Sequence, residues 1–211
     1  MRLMLHHSRG SWLAALLLPT LLLLPLLAKA QAVPLAERLT LCAGCHNADG
    51  NSTIPDNPKL ASLDPEYIIK QLTDFKAGNR SNVLMSSIIP LVDAKEFEAL
   101  AAYFHDQKRQ LGAPFDPKLA AIGKEIFDEG IVATAVPACA GCHNEDGSGT
   151  AKYPRIAGQH SAYVIRQLTN FKSGERTNDP KGVMRAVAKR LTEDNMRAVA
   201  EYIVTLKGGQ E

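Results

Sequence analysis

The pentapeptide Cys-Ala-Gly-Cys-His stands twice in this chain of 211 residues, at 42–46 and again at 139–143. Each copy sets two thiols about one helical turn apart, with an imidazole directly after the second. Any fold this chain adopts must present two such clusters. A zinc site would need a fourth ligand in each copy. No further cysteine exists, and His6, His7, His105 and His160 do not recur at matching positions. A thioredoxin-like pair would not require histidine in both copies. Disulfides stay open, since four cysteines allow three pairings. The reading that uses all five residues is covalent attachment of haem c. Cys42, Cys45, Cys139 and Cys142 would add across vinyl groups, and His46 and His143 would reach the two irons. Two such sites imply two fixed redox centres.

Residues 1–30 read as an export segment. Arg2 and Arg9 precede a nearly unbroken apolar run over 12–28, and Ala28-Lys29-Ala30 offers small residues for cleavage. The run is slightly long for a signal peptide and short for a spanning helix, and Pro19 and Pro25 interrupt it. Cleavage before Gln31 is expected, with a retained anchor as the other outcome. Both place the remainder outside the cytoplasm, in the periplasm. The full chain has 24 Lys+Arg and 22 Asp+Glu, but residues 1–30 hold three basic residues and no acidic one. The remaining chain carries 21 against 22, so the basic balance belongs to the leader and nucleic acid is not indicated.

The rest is an internal duplication. Tyr67, Gln71, Leu72, Phe75, Lys76 and Gly78 return as Tyr163, Gln167, Leu168, Phe171, Lys172 and Gly174. Met85 matches Met184, and Tyr103 matches Tyr202. The Pro-rich joint at 111–117 marks a boundary, giving domains over 31–113 and 114–211. Helix signals fill both. Asp64-Pro65 opens one helix that Gly78 stops, and Asp93 with Glu96 forms a capping box ahead of another. Asp116-Pro117 and Thr192 start two more in the second copy. Sustained strand alternation is missing, so the class is all-α. The first copy has only 35–41 ahead of its haem motif, without the helix that carries Ile126 and Phe127 in the second. The second copy adds a run over 131–138.

The sixth iron ligand separates a carrier from a catalyst. Repeat symmetry selects Met85 and Met184, both expected in loops after the Phe-Lys-x-Gly helix. Met196 aligns with Phe97 on an amphipathic face and reads as core. His160 reads as a helix-start or surface residue, and His105 as a helix-end contact. A methionine-histidine pair raises the iron potential and suits a carrier. Pro58 and Pro154 either support the proximal histidines through their carbonyls or merely shape a loop. Arg80 and Arg176 read as solvated and Tyr67 and Tyr163 as core, with haem propionates as the alternative partners. Lys181, Arg185, Lys189 and Arg190 read first as a solvated face and second as a surface that steers an acidic partner.

The two motifs, the Tyr-x-x-x-Gln-Leu-x-x-Phe-Lys-x-Gly segments, the run at 176–180 and the Met-to-helix segments together resemble the cytochrome c4 family, over nearly all of 31–211. The resemblance implies two tandem class I-like cytochrome c domains with covalent haems and His/Met axial pairs. It further implies a periplasmic carrier, often membrane-associated, taking electrons from an upstream quinol-oxidising complex towards a terminal oxidase. No catalytic residue is expected. The rival readings are a cytochrome subunit of a larger oxidase or dehydrogenase complex, and a dihaem enzyme such as a peroxidase. The second rival needs an open iron, and a matching methionine in each copy argues against it.

Overall fold

The computed structural model describes residues 34–150 and 152–209. The reading of 1–30 as a leader lies outside them. The described residues build nine α-helices and no strand. Those of the first half are α1 (Leu35–His46), α2 (Pro65–Lys76), α3 (Val83–Ile88) and α4 (Phe97–His105). Those of the second are α5 (Pro117–Glu129), α6 (Ala140–His143), α7 (Ser161–Ser173), α8 (Val183–Ala188) and α9 (Glu193–Ile203). No described helix is long and apolar enough to cross a membrane.

Local chemistry sets the helix starts. The Asp64 side chain accepts from Tyr67 N with Pro65 in the first turn, and Asp116 accepts from Lys118 and Leu119 N ahead of Pro117. Capping boxes form at Asp93 with Glu96 and at Thr192 with Asn195. The apolar faces of α2 and α4 meet through Ile68, Phe75, Leu100 and Phe104. Those of α7 and α9 meet through Val164, Leu168, Phe171, Val199 and Ile203.

Between each haem motif and the next long helix the chain makes the same turn twice. Asn47 and Asn144 follow the motif histidines with φ of 60° and 63°, a region that asparagine tolerates. Gly50 and Gly147 then accept two backbone bonds each, from Leu60 and Ala61 and from Ile156 and Ala157. A Cβ on either glycine would meet the opposing backbone or an apolar side chain at about 3 Å or less, so neither position admits a larger residue. This turn folds the segments carrying Pro58 and Pro154 back over the motif helices.

The halves differ ahead of their haem motifs. In the first, residues 35–41 continue without a break into the motif, all within α1. In the second, α5 lies along α9, and the added run makes a one-turn loop closed by Ile131 and Val136, which exchange both backbone bonds. α6 then carries the motif separately.

Candidate functional site

His46 and His143 are buried, and each is fixed by one bond. The Nδ1–H of His46 donates to the Pro58 carbonyl at 2.9 Å, and that of His143 donates to the Pro154 carbonyl at 2.8 Å. A carbonyl can only accept, so Nδ1 carries the proton and Nε2 is left as the lone-pair nitrogen. Burial holds both imidazoles below their ordinary pKa, and the carbonyl bond opposes this only in part. The two side chains are therefore neutral at pH 7, the form a metal requires. Of the two sequence readings of the prolines, the structure shows the supporting carbonyl in both copies.

The cysteines are free thiols. No three His, Cys, Asp or Glu side chains converge as a metal site among the described residues. The disulfide and zinc readings thus find no geometry. Burial raises the Cys42 thiol against the lowering influence of Arg38, and it raises Cys139 to about 11. A buried sulfur in this setting is stable without charge, as a thioether would be.

Met85 and Met184 do not lie in loops. They sit in the short helices α3 and α8, as the third and the second residue respectively. In the first half Asn82 makes the helix, because its side chain accepts from Leu84 N and Met85 N. In the second, Gly182 takes the cap position with φ of 70°. Each methionine packs against the same core as the first cysteine of its motif: Met85 with Cys42, and Met184 with Cys139. Ile69 and Leu72 flank the first pair on that core, each only partly covered by protein. Each half thus offers a neutral imidazole, two free thiols and a methionine packed on the core that the first thiol also meets. That set fits a flat, largely apolar, covalently held macrocycle.

Of the other candidates, Met196 takes the core role expected of it, whereas His105 and His160 bond to carbonyls of other segments. Met196 is 1% exposed in the second core. His105 Nδ1–H donates to the Leu63 carbonyl at the end of α4. His160 precedes α7, and its Nε2–H donates across to the Ser52 carbonyl of the first half.

Arg80 and Arg176 depart from the expectation of solvated arginines. Both are buried, at 9% and 8% exposure, and each reaches into the opposite half. Arg80 donates to Tyr163 Oη at 2.9 Å and to the amide oxygens of Gln71 and Gln167 at 2.7 and 3.1 Å. Arg176 reciprocates, donating to Tyr67 Oη at 3.3 Å and to Gln167 and Gln71 at 2.8 and 3.2 Å. Neither has a carboxylate at ion-pair distance among the described residues. Burial opposes the charge on Arg80, but the Tyr163 and Tyr67 hydroxyls outweigh it and hold the guanidinium above its usual pKa. Burial likewise raises Tyr67, and the two arginines reverse the direction and bring it below the ordinary phenol value.

Sequence reading missed the glutamines of this network, although both recur in the Tyr-x-x-x-Gln segments. It also missed Gln159, whose amide both accepts from and donates to the Lys59 backbone across the halves. Glu201 was missed as well. This buried carboxylate receives Ser161 Oγ and the backbone N–H groups of Phe115 and Asp116, and so ties the joint to the second half.

The family model described as Cytochrome c matches residues 120–207. A cytochrome c4 of Pseudomonas aeruginosa is 40% identical over 169 residues, covering 79% of this chain and 84% of its own. The chain belongs to the cytochrome c4 family. A further relative, the thiosulfate dehydrogenase electron acceptor of Stutzerimonas stutzeri, is 36% identical over 176 residues and covers 78% of each chain. The crystal structure of reduced recombinant cytochrome c4 from Pseudomonas stutzeri superposes with a TM-score of 0.78 at 38% identity, covering 82% of this chain and 96% of that one. As a cytochrome c4 family member the chain is an all-α, two-domain, electron-carrying cytochrome with two covalently attached haem c groups.

Proposed function

We propose that this chain is a periplasmic single-electron carrier with both irons six-coordinate. Its haems are attached through Cys42 and Cys45 and through Cys139 and Cys142. His46 with Met85, and His143 with Met184, would hold the two irons. The domains divide between 113 and 114, and residues 1–30 are the export leader. The haem, when bound, supplies one-electron exchange between ferric and ferrous iron.

The protein's residues hold that chemistry in place. Pro58 and Pro154 fix the histidine tautomer and ring orientation, which strengthens Nε2 as a ligand. The methionine sulfurs would favour the reduced iron and would keep oxygen and peroxide from it. The apolar side chains beside Cys42 and Cys139 exclude water. Arg80 and Arg176 offer two buried cations for the haem propionates, since buried charges require partners. The observation that carries this reading is that both halves repeat the histidine–proline bond and pack a methionine on the core that the first motif cysteine meets.

The expected partners are an upstream quinol-oxidising complex and a downstream terminal oxidase. A second reading has one specific support. A relative of similar length is named as the electron acceptor of a thiosulfate dehydrogenase, which would make the donor a sulfur-oxidising enzyme, whether met transiently or held as a complex.

Visible spectroscopy of the ferric holoprotein tests the ligation. The far-red band of sulfur-bound haem should be present, fall by half in Met85→Ala and in Met184→Ala, and vanish in the double variant. Carbon monoxide binding to the untreated reduced protein would instead show an open iron and overturn the carrier reading.

A further inference from the structure

The surfaces beside the two methionines are equivalent in the repeat and opposite in chemistry. Residues 81–92 around Met85 contain no charged side chain. Residues 180–191 around Met184 contain Lys181, Arg185, Lys189 and Arg190, and no carboxylate. The structure sorts these four cations. Arg185 Nε donates to Asp179 at 2.8 Å, so its charge is already compensated. Lys181, Lys189 and Arg190 are exposed, and none has a carboxylate at ion-pair distance among the described residues. Arg190 is also held in place, because its Nη1 donates to the Ala135 carbonyl of the added loop at 3.1 Å. The first half instead exposes Val83, Leu84 and Leu91 at 88, 57 and 58%. Other exposed lysines, such as Lys95, Lys108 and Lys118, also have no carboxylate at ion-pair distance among the described residues, but they stand apart in the chain and do not cluster.

We propose that the α8 face of the second half docks an acidic protein redox partner through Lys181, Lys189 and Arg190, and that the α3 face of the first half does not. The proposal rests on Met184 being a haem ligand, because that places a redox centre behind the charged face. Three uncompensated like charges attract an acidic surface over a Debye length and orient it on encounter. The α3 segment brings no charge of its own to compete for the same partner, and the Lys76 ammonium at its Val92 carbonyl is matched in the second half by Lys172 at Leu191. Electrons exchanged with acidic proteins therefore pass through the second haem, and the first haem communicates with them through the second.

The test is a backbone amide NMR titration of the reduced, full holoprotein with poly-L-glutamate as the acidic probe. At an ionic strength of about 0.01 M, where screening reaches roughly 30 Å, shifts should concentrate on 181–190 and exceed those on 81–92 several-fold. They should collapse at about 0.15 M, where the screening length is roughly 8 Å. The variant K181E/K189E/R190E should lose them, whereas K95E/K108E/K118E, with the same change in net charge at other exposed lysines, should keep them. Shifts spread evenly over the lysines, shifts centred on 81–92, or unchanged binding by K181E/K189E/R190E would overturn the proposal. The haem absorption of each variant reports its folding. Because the readout is amide shift, failure of the ligation is recorded separately, as a Met184→Ala protein whose far-red band does not fall.

Discussion

The two halves present the same histidine–proline bond on different scaffolds. In the second, α5 packs along α9, and the buried apolar residues form one continuous cluster from Ile126 and Phe127 through Leu168 to Ile203 and Leu206. In the first, the haem motif rides on α1 itself, and the core divides into two clusters, one around Phe75, Phe97 and Leu100 and the other around Leu63, Ala101 and Phe104. What substitutes for the missing helix is polar. Arg38 Nε donates to Glu96 at 3.0 Å, with both side chains less than one-fifth exposed. The immediate surroundings of the histidines diverge too. The Tyr153 ring lies beside His143, while the matching Asn57 donates to the Cys45 carbonyl. The difference teaches that the site is made by the motif, the glycine turn and the proline carbonyl. The helix ahead of it sets stability more than ligation.

The largest break in this comparison should come at Gly123, where α5 crosses α9. A Cβ there would stand 1.9 Å from the Ala198 carbonyl oxygen, and backbone cannot step aside as a side chain can. Gly123→Ala should destabilise the second half by about 3 kcal/mol, seen as a lower melting temperature in which the second haem's absorbance changes first. An unchanged melt would mean the crossing is not close. A smaller loss is expected at Glu96, which both pairs with Arg38 and accepts from Asp93 N at 2.7 Å. Glu96→Ala should cost about 2 kcal/mol in urea unfolding, and Arg38→Ala about 1 kcal/mol, because the pair is only partly shielded. Equal losses in the two variants would show that the cap contributes nothing. An effect between those two should be shared equally by the halves. Arg80→Lys and Arg176→Lys should each cost about 1.5 kcal/mol, and the double variant less than the sum, since both arginines use Gln71 and Gln167. Clearly unequal single losses would show that the network is not reciprocal.

Much of this was legible in the chain. The helix starts at Asp64, Asp93, Asp116 and Thr192 follow from cap residues that act locally, and the core faces follow from helical spacing. Met85 and Met184 were legible by their equivalence, but not their helices. α3 and α8 span only six residues each, too short for periodicity, and one depends on the Asn82 side chain. Arg80 and Arg176 were misjudged because an arginine reads as solvated until its acceptors are known, and these lie 83 and 109 residues away. Gln159 and Glu201 were invisible for the same reason. Apart from Ser161 Oγ, their partners are backbone groups of the other half or the joint, and main-chain acceptors and donors leave no mark in composition.

The crossed arginines have one more consequence. Arg80 reaching Tyr163 and Arg176 reaching Tyr67 is the bonding of a twofold pair, in which each member offers the other what it receives. That is how identical subunits associate, with no connecting peptide required. The joint at 111–117 therefore raises the local concentration of the two lobes without defining their fit. The fused chain thus retains the logic of a homodimer whose two copies have since become free to specialise.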